Sequence, residues 1–266
     1  MGERMERLLK FYINGEWVVP QSTETMPVLN PATAEQVAEV ALGNAADVDV
    51  AVAAAKAAFE HFSQTSKSER LALLRRIRLV SERRFEELAQ AMRLEMGAPI
   101  TMAREAQADA AVGHLDGFIH ALEKLEEQER FDNGEVVLKE PIGVCGLITP
   151  WNWPINQVVL KVLPVIATGC TCVLKPSEHT PVSAMLYAEI LDEAGVPAGV
   201  FNLVQGVGPV VGAALSRHAD IQMMSFTGST RAGTAVTRDA ADTVKRVTLE
   251  LGGKSPNLVF ADCDLE

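Results

Sequence analysis

The sequence predicts an α/β fold built on a doubly wound parallel sheet, preceded by a mostly helical section. Three observations carry that prediction. After Asn133-Gly134, short apolar runs alternate with helical stretches, as strands joined by crossover helices do. The runs, such as Gly143-Val-Cys-Gly-Leu-Ile-Thr149, lack the apolar/polar alternation of half-exposed strands and so read as buried on both faces. The residues that stand out chemically all fall just after these runs, where open α/β sheets bind ligands.

Each element follows in order. In Phe11-Tyr-Ile-Asn-Gly-Glu-Trp-Val-Val19, Asn14-Gly15 between apolar residues signals a hairpin, and Asn30-Pro31 marks a turn. An alanine-rich helix is expected from about 47 to 62. Ser66-Lys-Ser-Glu69 is a capping box, with Leu71, Leu74, Ile77 and Val80 following at helical spacing. The next helix carries Phe85, Leu88, Met92 and Met96 and stops at Gly97 and Pro99; another covers about 101–126. Strands are then expected at 135–140, 143–149, 170–174, 201–204, 221–225, 246–250 and 257–260. Helices are expected at 154–168, 181–194, 209–217 and 229–241.

Composition narrows the function. Of 266 residues, 48% are hydrophobic, enough for a core, and 22% charged, as in soluble proteins. Lys+Arg 24 against Asp+Glu 35 gives −11, which argues against nucleic-acid or anionic-membrane partners. Met1-Gly-Glu-Arg-Met-Glu6 has no apolar core and reads as no signal peptide; with Glu rather than Ser or Thr at position 6, Gly2 is no myristoylation site. The most apolar stretch, 158–174, is broken by Lys161, Pro164 and Gly169, so no membrane span is expected. Cys145, Cys170, Cys172 and Cys263 lack zinc spacing and read as reduced thiols of a cytoplasmic protein.

The chemistry-bearing motifs each have an ordinary structural alternative. Gly206-Val-Gly208-Pro-Val-Val-Gly212 is one residue too long for G-x-G-x-x-G; after a strand it either opens a helix or receives a phosphate there. Phe226-Thr227-Gly228-Ser229-Thr230 either caps a helix or also presents backbone N–H groups to a pyrophosphate. In Lys175-Pro-Ser177-Glu178, the lysine suits a ribose or phosphate and Glu178 suits ribose hydroxyls; the alternative is a solvated loop. A carboxylate there repels a 2′-phosphate, favouring NAD over NADP. Pro150-Trp151-Asn152-Trp153-Pro154 is a rigid aromatic turn, or it presents the Asn152 amide to an oxyanion. Glu250, after Val247-Thr-Leu249 and before Leu251-Gly-Gly253, is the candidate general base, expected to be partly buried. Lys161, inside an apolar helix, is either a snorkelling surface lysine or part of a proton relay.

In this order, Thr149-Pro-Trp-Asn-Trp-Pro154, Lys175-Pro-Ser-Glu178, Phe226-Thr-Gly-Ser-Thr230 and Glu250-Leu-Gly-Gly-Lys254 resemble the motifs of the NAD(P)-dependent aldehyde dehydrogenase superfamily. The resemblance runs from Tyr12-Ile-Asn-Gly-Glu-Trp17 onward. It implies a Rossmann-like NAD-binding domain over 1–266, with part of an oligomerisation hairpin at about 127–142 and hence a homodimer or homotetramer of the full-length protein. It implies a cofactor site of Ile148, Thr149, Pro150, Trp151, Lys175, Ser177, Glu178, Gly208, Phe226, Thr227, Gly228, Ser229 and Leu251. The implied reaction oxidises an aldehyde to a carboxylic acid through a cysteine thiohemiacetal and thioester. Asn152 would bind the oxyanion, Glu250 would activate the hydrolytic water and Lys161 would relay protons. In the family the nucleophilic cysteine follows Glu-Leu-Gly-Gly in a separate domain, whereas this sequence stops at Glu266; Cys263, between Asp262 and Asp264, is a poor substitute. The chain is therefore expected to bind NAD without turnover. The alternative is a truncated NAD-binding or oligomerisation module with no catalysis.

Overall fold

The computed structural model describes residues 6–264; the segment 1–5, read above for targeting signals, lies outside them. After a 3-10 turn at Arg7–Leu9 comes a tight hairpin, β1 (Phe11–Ile13) and β2 (Glu16–Val18), turning through Asn14 (φ 54) and Gly15 (φ 82). Positive φ at both central residues is what a right-twisted two-residue turn requires. A second hairpin, β3 (Thr25–Asn30) with β4 (Glu35–Ala41), has no counterpart in the sequence prediction.

Four helices follow. α1 (Ala45–Phe62) starts earlier than expected because Asn44 and Asp47 form a reciprocal capping box. α2 (Lys67–Arg83) has the Ser66/Glu69 box read from sequence. α3 (Phe85–Met96) ends on Gly97 in the left-handed region at φ 72. A helical turn at Ile100–Met102 and a π-helical stretch at Ala103–Ala108 run into α4 (Asp109–Lys124). Where sequence predicted one strand at 135–140, the chain instead forms an antiparallel ribbon, β5 (Gln128–Arg130) and β6 (Val136–Leu138), exposed throughout.

The alternating half follows as predicted. It comprises β7 (Val144–Ile148), α5 (Pro154–Ala167), β8 (Thr171–Lys175), α6 (Pro181–Glu193) and β9 (Phe201–Leu203). A π-helical turn at Gly208–Gly212 leads into α7 (Ala213–Arg217), followed by β10 (Met223–Thr227), α8 (Thr230–Ala240) and β11 (Arg246–Glu250). The predicted strand at 257–260 does not form: 251–260 has no regular structure and is exposed.

The seven-stranded sheet has the order β11-β10-β7-β8-β9-β1-β2. β11, β10, β7, β8 and β9 are parallel, and the N-terminal hairpin adds two antiparallel strands beyond β9. Side chains alternate between two cores, as period two demands. Cys145, Leu147, Cys172 and Leu174 pack against α2 to α6, whereas Val144, Ile148 and Val173 face α1, α7 and α8. The molecule is therefore an α/β fold with helices on both faces of a parallel-rich sheet. No helix among the described residues is long and apolar enough to cross a membrane.

The approach of α1 to the loop before β9 depends on one glycine. Gly199 has φ +81, and a Cβ there would sit 2.7 Å from the Ala54 carbonyl oxygen and 2.9 Å from the Ala58 Cβ. Backbone cannot yield as a side-chain tip can. Gly199→Ala is expected to destabilise the protein by about 3 kcal/mol, through strain and overpacking together. Urea unfolding checks this; a loss below about 0.5 kcal/mol, the usual size for a surface substitution, contradicts it.

Candidate active site

The parallel strands end side by side. Ile148 pairs with Lys175 and with Phe226, and Thr227 pairs with Glu250. The loops at these ends hold most of the residues singled out in the sequence. The site is thus a consequence of register: four strands stop level and their next residues share one rim.

After β7, Thr149 N–H still donates to the Lys175 carbonyl at 3.2 Å, holding the two loops together. The chain then turns through Pro150, Trp151 and Asn152. Pro154 opens α5 at the first helical position, where a missing N–H costs nothing. Trp151 and Asn152 are exposed, so the Asn152 amide stands free of the core, while Thr149 Oγ1 is buried without a protein partner.

After β8, Lys175 is buried at 3% exposure. Its ammonium donates to the Pro176 and Gly206 carbonyls, each at 2.7 Å, and to Glu178 Oε2 at 3.1 Å. Burial lowers its pKa, and the Glu178 charge opposes that fall. Glu178 is half-buried. Burial pushes its carboxyl up, but the Lys175 charge, hydrogen bonds and His179 hold it below its ordinary value. Lys175 therefore ties the β8 loop to the glycine loop after β9 and sets Glu178 in place. Ser177 is buried, and its Oγ accepts from His179 N–H at 3.3 Å in the turn that leads to α6.

The glycine loop is shaped by its neighbours. A Cβ on Gly206 would strike Val211 Cγ2 at 2.4 Å, and one on Gly212 would touch Ile148 Cδ1 at 3.4 Å and approach Lys175 Cδ at 3.9 Å. Gly208 is exposed, with open space where its Cβ would be, so a ligand can approach that backbone closely. After β10, Gly228 N–H donates to the Glu250 carbonyl at 2.9 Å, and Ser229 caps α8 by accepting from Ala232 N–H at 3.2 Å. Phe226 is buried against Gly228 and Gly233. Leu251 packs on Gly233, where a Cβ would meet Leu251 Cδ2 at 2.6 Å. Thr227 Oγ1, like Thr149 Oγ1, is buried without a protein partner.

Two expectations are corrected. Glu250 is exposed rather than partly buried, because β11 is the edge strand and nothing among the described residues covers its end. Lys161 is no snorkelling surface lysine. It is buried at 8% exposure, and its ammonium donates to Ser225 Oγ at 2.8 Å. Burial lowers its pKa to about 8, opposed by the Glu250 charge, so the two groups sense each other electrostatically.

One residue of this region was not anticipated. Glu95, on α3, is buried at 3% exposure, and its two oxygens accept from Val182 N–H at 2.5 Å and Ser183 N–H at 3.0 Å. It supplies the N-terminal cap of α6 that Thr180 does not. Its sequence neighbourhood reads only as the end of an amphipathic helix, so no local signal marks it; the missing cap at Thr180-Pro181 was the one available hint.

Comparison with known proteins identifies the family of the chain. The profile of the Aldehyde dehydrogenase family matches residues 17–266. The chain is 52% identical over 258 residues to a 3-succinoylsemialdehyde-pyridine dehydrogenase of a Pseudomonas species, covering 97% of this chain and 54% of that protein. It superposes with TM-score 0.93 and 53% identity on an aldehyde dehydrogenase C mutant from Pseudomonas syringae, solved in complex with NAD+ and octanal, covering 97% of this chain and 53% of that one. Against an aldehyde dehydrogenase from Bartonella henselae the TM-score is 0.91 at 50% identity, over 96% of this chain and 54% of that one. The chain thus spans about half the length of these relatives. With nearly its whole length matched in both sequence profile and backbone, the chain belongs to the aldehyde dehydrogenase family.

Proposed function

We propose that this chain is the NAD-binding portion, over 1–266, of a cytoplasmic enzyme that oxidises an aldehyde to a carboxylic acid. The observation that carries the reading is the common rim of strand ends, on which Lys175, Glu178, the glycine loop and Glu250 meet. That rim fits a dinucleotide. Gly208 leaves room for phosphate beside backbone, Ser229 begins a helix of sufficient length to favour an anion, and two buried threonine hydroxyls await partners. Lys175 and Glu178 face the ribose, and Ile148 to Trp151, Ser177, Phe226 to Ser229 and Leu251 complete the walls. The half-buried Glu178 carboxylate repels a 2′-phosphate, so NAD is preferred to NADP. The relative solved with NAD+ supports this choice of cofactor.

When bound, NAD would supply the hydride acceptor that the oxidation needs. The residues of this chain do the remaining work. The Asn152 amide N–H₂ donates to the oxyanion. Glu250 takes a proton from the water that releases the acid, and Lys161, close enough to feel its charge, passes protons onward. The attacking thiolate comes from a further part of the protein. Cys145, Cys170 and Cys172 lie toward the amino ends of their strands, opposite the rim. The exposed β5–β6 ribbon, within 127–142, is the subunit contact of a homodimer or homotetramer.

Calorimetric titration of this chain with NAD, alongside NADH formation over an aldehyde panel, tests the reading. Binding without turnover is expected. Glu178→Ala is expected to weaken NAD binding about tenfold, the worth of one charge-assisted hydrogen bond, and to narrow the NAD/NADP preference. Absence of any heat with NAD would refute the cofactor assignment. Turnover by this chain would refute the assignment of the nucleophile to another segment.

A further inference from the structure

Lys161 reaches from α5 to the sheet, and one hydroxyl receives it. The buried ammonium donates to Ser225 Oγ at 2.8 Å, and no other group among the described residues accepts from it. Ser225 lies in β10, where period two decides which side chains share its face. Met224 and Phe226 point into the core that also holds Val247 and Leu249 of β11. Met223 packs in the other core, with α5. Ser225 and Thr227 therefore face α5, and so do Thr248 and Glu250, which pair with them in parallel register. Glu250 stands one strand over from Ser225 and two residues nearer the rim, about 8 Å away between Cα atoms at ordinary sheet spacings. Of the two β10 hydroxyls on this face, that of Thr227 is buried without a protein partner; Lys161 is bound to the lower one. The residue type matters. A group that passes protons alternates between ammonium and amine, and its partner must suit both. A carboxylate would hold Lys161 charged, and an apolar side chain would leave a buried ammonium unpaired. A serine hydroxyl accepts from the ammonium and, by rotating, donates to the amine.

We propose that Ser225 is a positioning residue for Lys161, its hydroxyl holding the lysine nitrogen below Glu250 in both protonation states; this rests on the base and relay roles proposed above for Glu250 and Lys161. After Glu250 has taken a proton from water, its carboxyl passes that proton to the Lys161 amine. A neutral carboxyl and a neutral amine become a carboxylate and an ammonium, so the sum of charges is unchanged and no electron moves. The Ser225 hydroxyl turns from donor to acceptor as the ammonium forms, and Nζ stays where it was. Glu250 is then a carboxylate again, ready for the next water. The charge that acts on Lys161 among the described residues is that of Glu250, and it opposes the burial that brings the lysine down to about 8. A nitrogen free to swing along the α5 face would lose that alignment with the edge strand.

The test is an NMR titration of the 266-residue chain carrying carbon-13 at lysine Cε, with Lys161→Arg identifying the Lys161 signal. A hydrogen bond from an ammonium is stronger than one to an amine. Ser225→Ala is therefore expected to lower the titration midpoint of Lys161 by about one pH unit, a tenfold loss of proton affinity and the worth of one charge-assisted hydrogen bond. Ser225→Thr keeps the hydroxyl and should hold the midpoint near that of wild type. Ser225→Val has the shape of threonine without the hydroxyl and should behave like alanine. In the full-length enzyme, Ser225→Ala is expected to lower kcat about tenfold with KM unchanged, and Ser225→Thr to restore it. An unmoved midpoint in Ser225→Ala would overturn the proposal, as would equal midpoints in the valine and threonine variants or a parental kcat in the alanine variant. Glu250→Gln should also lower the midpoint. If it does not, while Ser225→Ala still does, the roles given to Glu250 and Lys161 fall, and the positioning role falls with them. Should Ser225→Ala fail to fold, the valine and threonine variants decide in its place.

Discussion

Lys175→Met is expected to lower stability by about 3 kcal/mol and to weaken NAD binding by at least about tenfold. Both effects have one origin. The buried ammonium is shared by the Pro176 and Gly206 carbonyls and the Glu178 carboxylate. Methionine fills the volume of the side-chain stem but donates nothing. Two buried acceptors then lack their partner, each costing about 1–3 kcal/mol, and Glu178 loses its counter-charge. The glycine loop is held to the β8 loop through the same nitrogen, so the ribose and phosphate contacts proposed above should fail together. Thermal unfolding and NAD calorimetry on one preparation check the prediction. A variant that binds NAD like the parent would show that the ammonium serves the fold alone.

Glu95→Ala is expected to destabilise by about 3 kcal/mol, because two buried N–H groups at the start of α6 lose the side chain that caps them. The effect should depend on pH in a definite direction. Burial, opposed by the hydrogen bonds to Ser183 and Val182, raises the Glu95 pKa to about 7 from 4.5. A carboxyl with a raised folded-state pKa contributes stability that is present in full below 4.5 and lost as pH rises through about 7. Wild type therefore carries this dependence and the alanine variant does not. The difference in unfolding free energy between them should be larger at about pH 5 than at about pH 8 by urea melts. A difference that grows with pH would mean that Glu95 is ionised in the fold at acid pH, with its cap dominating its burial.

How much of this was legible in sequence depends on where each element draws its stability. The buried strands β7 to β10 show as apolar runs because both faces meet helices, and α2 shows its own capping box. β3 and β4 do not show, because only Val28, Val40 and Ala41 of the pair are buried and the rest is half-buried or exposed. The reverse error occurs at 257–260, where Leu258-Val-Phe260 has strand-forming residues but no neighbouring strand to pair with. Among the candidate site residues, the loop positions were readable as breaks after strands. Burial of Lys161 and exposure of Glu250 were not, since each depends on which strand lies at the sheet edge. Glu95 was invisible because its partners lie on another helix, far along the chain.

The pairing of β1 with β9 bears on how the molecule comes into being. Tyr12 pairs with Leu203 across the sheet, and its hydroxyl donates to Asp192 at 2.8 Å over a separation of 180 residues. On a ribosome, β1 thus emerges long before β9, the strand it must pair with. Until β9 has been synthesised, the hairpin of Phe11 to Val18 has no sheet to join, and isolated two-stranded hairpins are marginal in water. Such long-range closure slows folding and leaves apolar residues such as Phe11 and Ile13 uncovered until β9 has emerged. The nascent chain is therefore expected to present this hairpin as a chaperone-binding segment, one that disappears when β9 completes the sheet.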